Sequence, residues 1–137
     1  MYRTISCLAL FLAAGLVTGC GDDSDLPTAP TDPPVELTET LTGTVTVNGA
    51  STQQFTVQRA GNVTATLTSL SPDSAAVISL ALGTWNGQVC QILLANDAAT
   101  TNTTVIGTAS AGNFCVRLSD VGRLTAPTEY SVTVRHF

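Results

Sequence analysis

From about residue 37 to the end of the chain, apolar and polar residues alternate with a period of two. In "VTATLT" (63 to 68) Val63, Ala65 and Leu67 fall on one face and Thr64, Thr66 and Thr68 on the other, and "LTGTVTV" (41 to 47) repeats the arrangement. That period belongs to a strand with one buried face. The same reading extends to "QQFTVQ", "AVISLAL", "VCQILLA", "TTVIGTA", "NFCVRLS" and "EYSVTVR", so that about eight strands are expected. In the seventh, Phe114, Val116 and Leu118 point inward and Arg117 outward. Asn48-Gly49 and Asn86-Gly87 stand where two-residue hairpin turns want positive φ, Gly61-Asn62 and Gly112-Asn113 mark other reversals, and "SPDS" (71 to 74) reads as a loop. No stretch longer than a turn or two has the helical period. The pattern predicts an all-β domain over residues 37–137, an antiparallel, jelly-roll-like β-sandwich. A membrane barrel does not fit, because Phe137 is out of phase with the apolar residues Tyr130, Val132 and Val134.

The first 36 residues follow other rules. "MYR" supplies a short positive segment, and "ISCLALFLAAGLV" (5 to 17) is an apolar run within the roughly 7 to 15 residues of a signal-peptide core. It is too short to span a bilayer, which takes about 18 or more apolar residues. "VTGC" (17 to 20) resembles the lipobox of bacterial lipoproteins: an aliphatic residue, two small ones, then the cysteine that receives the lipid. By that resemblance residues 1–19 are removed and Cys20 carries a diacylglyceryl thioether. Two or three acyl chains hold a protein to a membrane far more firmly than the single chain that binds only marginally. Residues 21–36, "GDDSDLPTAPTDPPVE", combine four prolines with repeated acids, cannot build a core, and read as an extended tether of roughly 50 Å. Gly21 after the cysteine, in place of the aspartate linked to inner-membrane retention, favours outer-membrane sorting. The expected location is the cell envelope.

Four stretches of the domain resemble the bacterial pre-peptidase C-terminal domain family: "QQFTVQRAGNVTATLT" (53 to 68), "AVISLALGTWNGQ" (76 to 88), "SAGNFCVRLSD" (110 to 120) and "EYSVTV" (129 to 134). These are small sandwiches carried by secreted proteases and other exported proteins. The resemblance implies a sandwich fold and a non-catalytic role. It also makes calcium the one candidate cofactor, because relatives in secreted collagenases bind it near the start of the domain, where Glu36 and Glu39 lie. Calcium wants six or more oxygens, which two glutamates do not supply.

Composition narrows the partners. Five arginines and no lysine face ten acids, for a formal net charge of -5, so nucleic acid, which needs a basic face, is not an expected partner. Asp22, Asp23, Asp25, Asp32 and Glu36 sit in the tail, which leaves the domain nearly neutral. With Cys7 removed and Cys20 lipidated, Cys90 and Cys115 remain, and an even pair in an exported protein reads as a disulfide. One obstacle stands against it. Cys115 lies on the phase opposite Phe114 and Val116, while Cys90 shares a face with Ile92 and Leu94, so the bond demands a bulge or a shifted register.

Catalytic signals are weak. His136 is the single histidine and next to last, so a Ser-His-Asp arrangement would hang on a fraying end; there is no G-x-S-x-G elbow and no Gly-rich phosphate loop. Asp73, Asp97 and Asp120 read as loop and turn residues. Trp85, the only tryptophan, precedes Asn86-Gly87, where an indole either packs over the core edge or contacts a ligand. The threonine rows at Thr42, Thr44, Thr46 and at Thr64, Thr66, Thr68 either form a recognition surface or simply suit the wet face of a strand. The expected function is a lipid-anchored, non-catalytic module for a polysaccharide or protein ligand. The alternative is an accessory subunit of an envelope or secreted-protease assembly.

Overall fold

The computed structural model describes residues 33–137; the expectations for the signal segment, for Cys20 and for the linker up to Asp32 lie outside the described residues. All eight expected runs are strands: β1 (Leu37–Val45), β2 (Ala50–Val57), β3 (Gly61–Ser71), β4 (Ile78–Trp85), β5 (Cys90–Ala99), β6 (Thr104–Ala109), β7 (Gly112–Ser119) and β8 (Thr128–His136).

The pairings explain the architecture. β1 pairs with β8, β2 with β7, β3 with β6 and β4 with β5, all antiparallel, so the chain is one long ribbon of nested strand pairs. Rolling that ribbon brings β8 against β3 and β7 against β4. The result is two four-stranded sheets, here called sheet A (β1-β8-β3-β6) and sheet B (β2-β7-β4-β5). This is the double-sheet jelly roll, an antiparallel β-sandwich.

The predicted inward faces meet in the middle. From sheet A come Val63, Ala65, Leu67, Val132 and Val134, and from sheet B Leu80, Leu82, Val116 and Leu118, all buried. Leu80 stands opposite Leu118 and Leu82 opposite Val116, and the rings of Phe55 and Phe114 stack at 5.9 Å. Each such aliphatic or aromatic side chain withdrawn from water contributes about 1.5–3 kcal/mol, and the interdigitated faces set the sandwich thickness.

Three local expectations are corrected. Asn48-Gly49 does not close a two-residue hairpin: Asn48 has the positive φ (56°), and the turn carries the chain from β1 in sheet A to β2 in sheet B. Asn86-Gly87 does belong to a hairpin, between β4 and β5, but its loop spans residues 86–89, and the Asn86 side chain accepts the N–H groups of Gln88 and Val89. The threonine phase of β3 breaks at Thr68, because the register with β8 slips between Leu67 and Ser69. Thr68 is the extra residue of a bulge, so Ser69 and Ser71 continue the outer face while Leu70 turns inward, buried.

The last strand does not fray. The Phe137 carbonyl accepts the N–H groups of Gln58 and Arg59 at 2.8 and 3.1 Å. Its ring lies against Gly61, where an added Cβ would stand 2.6 Å from Phe137 Cδ2. His136 is thereby held on the inner face, fully buried.

Candidate functional site

The cysteine obstacle is resolved by a bulge and a glycine. Leu82 stands opposite Leu94 but Gly83 opposite Ile92, so Leu93 is an extra residue in β5. Beyond it the β5 backbone leans over the outer face of sheet B. A Cβ added to Gly83 would lie 2.2 Å from the Gln91 carbonyl oxygen, so only glycine leaves room for that crossing. Cys90 then reaches across β4 to Cys115, with 5.8 Å between their Cα atoms, within the range a disulfide accepts. The bond straps the start of β5 over the sheet, and Cys115 is fully buried although it points away from the core.

The strap turns a flat face into a walled one. Ala50, Thr52 and Arg117 form one side and Gln88, Val89 and Cys90 the other of a depression of about 350 Å³. Thr52 and Ala81 flank Arg117 across the strands on either side, and Arg117 forms no ion pair among the described residues. By strand parity Trp85 is on this same outer face, opposite Cys90. It is half-buried at the end of β4 and does not line the depression.

The outer face of sheet A carries a larger groove of about 430 Å³. Two rows cross it: Thr42, Ser131 and Ser69, then Thr44, Glu129 and Ser71. Five hydroxyl side chains thus surround one carboxylate. The bulge at Thr68 is what places Ser69 and Ser71 in line with them. Beneath, the Tyr130 hydroxyl lies 2.7 Å from Ser51 Oγ and takes a longer bond from Gln53 Nε2, which also donates to the Thr42 carbonyl at 3.0 Å. Gly43 leaves the space the phenol needs: an added Cβ would fall 2.6 Å from the Tyr130 hydroxyl oxygen.

A third feature lies where the edges of β5 and β6 meet. Leu82, Leu93, Leu94, Val63 and Phe114 line an apolar cleft of about 220 Å³ beside Gly107. Leu93 and Ile106 next to it are 63% and 62% exposed, an apolar density unusual for a free sheet edge.

The remaining sequence candidates are engaged in holding the fold. His136 Nε2 lies 3.0 Å from Glu39 Oε1, its ring tilts against Phe55 at 5.3 Å, and Nδ1 meets no hydrogen-bonding group among the described residues. A carboxylate orients the imidazole as in a catalytic dyad, but the ring is sealed from solvent. Glu36 is paired with Arg135, so the two glutamates at the domain start face separate cationic or imidazole partners. Asp97 is not a loop residue: it lies in β5 and accepts from Ser79 Oγ at 2.7 Å. Asp73 does cap a turn, accepting the Ala75 N–H. Asp120 accepts the N–H groups of Asn48, Arg123 and Leu124, and the Asn48 bond foremost holds its carboxyl below the ordinary value of 3.8 against an opposing desolvation. No group of three or more His, Cys, Asp or Glu residues able to hold a metal ion is found among the described residues.

No protein-family model matches the chain, and no curated protein matches its sequence. Sequence reasoning missed Glu129, Ser69, Ser71 and Ser131 as groove residues and Gln88 as part of a wall. The parity of "EYSVTV" already put Glu129 and Ser131 on one outer face, whereas the slip at Thr68 leaves no mark in composition.

Proposed function

We propose that the chain is a lipid-anchored cell-envelope protein whose jelly roll is a non-catalytic binding module for a polysaccharide. The observation that carries this reading is the groove on sheet A, where hydroxyls from three strands surround Glu129. Hydroxyls both donate and accept, and a carboxylate accepts from sugar hydroxyls, so the groove matches a neutral, hydroxyl-rich ligand. The lipobox-like "VTGC" and the Pro/Asp-rich tether support presentation from a membrane. Thermal unfolding of the purified full chain in detergent, with and without neutral polysaccharides, tests it. Binding at a hundred times the dissociation constant stabilises by about 2.7 kcal/mol, and this shift is expected for wild type and not for Glu129→Ala. An unchanged midpoint with every neutral polysaccharide tried would refute the groove reading.

A second reading, an accessory subunit of an envelope or secreted-protease assembly, is favoured by the apolar cleft between β5 and β6. It predicts a stoichiometric partner that leaves when Leu93 is changed to Asp.

A further inference from the structure

The concavities on the two outer faces differ in charge, Glu129 lining one and Arg117 the other, and that difference carries an inference beyond the neutral ligand of sheet A. Arg117 stands in mid-sheet on β7, not at a frayed edge, and its cross-strand neighbours are the small or neutral Thr52 and Ala81. The guanidinium lines a depression of about 350 Å³ that contains no carboxylate, walled by Gln88 and Val89 of the strapped hairpin. The other three described arginines are placed differently. Arg135 is paired with Glu36, Arg123 shares its cleft with Asp73, and Arg59 lies in the turn between β2 and β3. Among the described residues, Arg117 is therefore the arginine set in a concavity with no carboxylate in its lining.

We propose that this depression is a second binding site, taking one carboxylate of an acidic, uronic-acid-containing polysaccharide on Arg117. A guanidinium forks its donors onto a carboxylate in two parallel bonds. Thr52 and Gln88 offer neutral groups to ring hydroxyls beside it. Further along the same face come Gln54 and then Thr56 with Asn113, a run of uncharged polar side chains suited to a sugar chain rather than to an apolar peptide. Trp85, beyond the disulfide on that face, adds an apolar platform. The Cys90–Cys115 bond has a role here besides stability, because it keeps the Gln88–Cys90 wall in place over the sheet. A module with a neutral-glycan groove on one face and an anion site on the other is able to bridge two polymers.

The test uses the purified full chain in detergent. Trp85 is the only tryptophan, so its fluorescence reports on this face. Titration with a galacturonic acid oligomer is expected to change that fluorescence and to weaken with added salt, while a neutral galactose oligomer of equal length leaves it unchanged. Arg117→Gln is expected to weaken uronate binding at least tenfold. Arg117→Lys is expected to retain part of it, and Glu129→Gln to leave it intact. Absence of uronate binding by wild type, or equal binding by Arg117→Gln, overturns the proposal. So does preference for a short peptide carboxylate over the uronate, which would assign the site to protein termini. If uronate fails while neutral polysaccharides still raise the midpoint through Glu129, this inference falls and the groove on sheet A stands.

Discussion

Sheet A and sheet B are built from strands of similar length and the same alternation, yet the concavities on their outer faces are lined by opposite charges. Sheet A keeps hydroxyl rows across three strands and places Glu129 among them. Sheet B lets its edge strand climb over its neighbour, pins it with Cys90–Cys115, and leaves Arg117 exposed beside the overhang. Each concavity owes its shape to a bulge: that at Thr68 aligns serines with threonines, and that at Leu93 lifts a strand out of plane. A bulge thus acts as a site-building device as well as an edge-blunting one. The charge lining each concavity decides its ligand class, since a carboxylate in the lining repels acidic polymers and a guanidinium attracts them.

The largest expected effect comes from removing what makes sheet B different. Converting Cys90 and Cys115 together to alanine frees a loop with a sequence separation of 25. The lost loop-closure constraint alone is worth about 3.5 kcal/mol, read as a lower denaturant midpoint. The asymmetry of the faces is sharpened if the double variant also loses uronate binding while keeping the neutral-glycan shift. Loss of both would show that the faces do not respond separately.

Gly83→Ala comes next. The added methyl meets the Gln91 backbone, which has no rotamer to change, so β5 must lift or β4 must sink. Overpacking of that kind costs about 2 kcal/mol. Thr44→Ala on the outer face of sheet A serves as the comparison and stays within about 0.5 kcal/mol of wild type. Thermal unfolding of both variants checks the pair, and a Gly83→Ala protein as stable as wild type would mean that β5 does not press on β4.

Much of this contrast was legible in the sequence, though unevenly. The strands were readable because one buried face imposes a period of two, although β1 begins at Leu37 and ends at Val45, earlier at both ends than the expected run 41–47. The disulfide was readable from cysteine count, and its phase conflict correctly demanded a bulge. Gly83 inside the apolar run "AVISLAL-GTW" was the overlooked signal, since a glycine within a strand often marks a close backbone approach. The two Asn-Gly pairs misled as two-residue hairpins. A jelly roll sends most of its connections across to the other sheet, and local turn chemistry does not report which sheet receives the next strand. His136 looked like a terminal loose end because position in the chain says nothing about the backbone bonds that Phe137 makes with Gln58 and Arg59. The groove and the depression were the least readable features, because each needs residues from strands far apart in sequence to be brought into one row.

The smallest effect concerns the corner where the two sheets hand over. Asp120 follows β7 of sheet B and accepts the N–H of Asn48 at 2.8 Å, in the turn that leads from β1 of sheet A into β2 of sheet B. It also accepts the N–H groups of Arg123 and Leu124, so one carboxylate fixes two loops. These bonds favour the ionised form, the Asn48 bond most, and the folded carboxyl is held below its ordinary 3.8. The folded chain therefore binds this proton less readily than the unfolded chain. Its contribution to stability is fully present above the unfolded value and is lost as pH falls through the lowered folded one. Asp120→Asn is expected to lower the midpoint slightly at neutral pH and to flatten the acid limb, so that the gap from wild type narrows as the pH drops below 3.8. Unfolding curves of both proteins across that range make the check. A gap that stays constant down to the lowest pH would show that Asp120 stabilises the corner by shape alone, and that the join between the faces, unlike the faces themselves, is indifferent to charge.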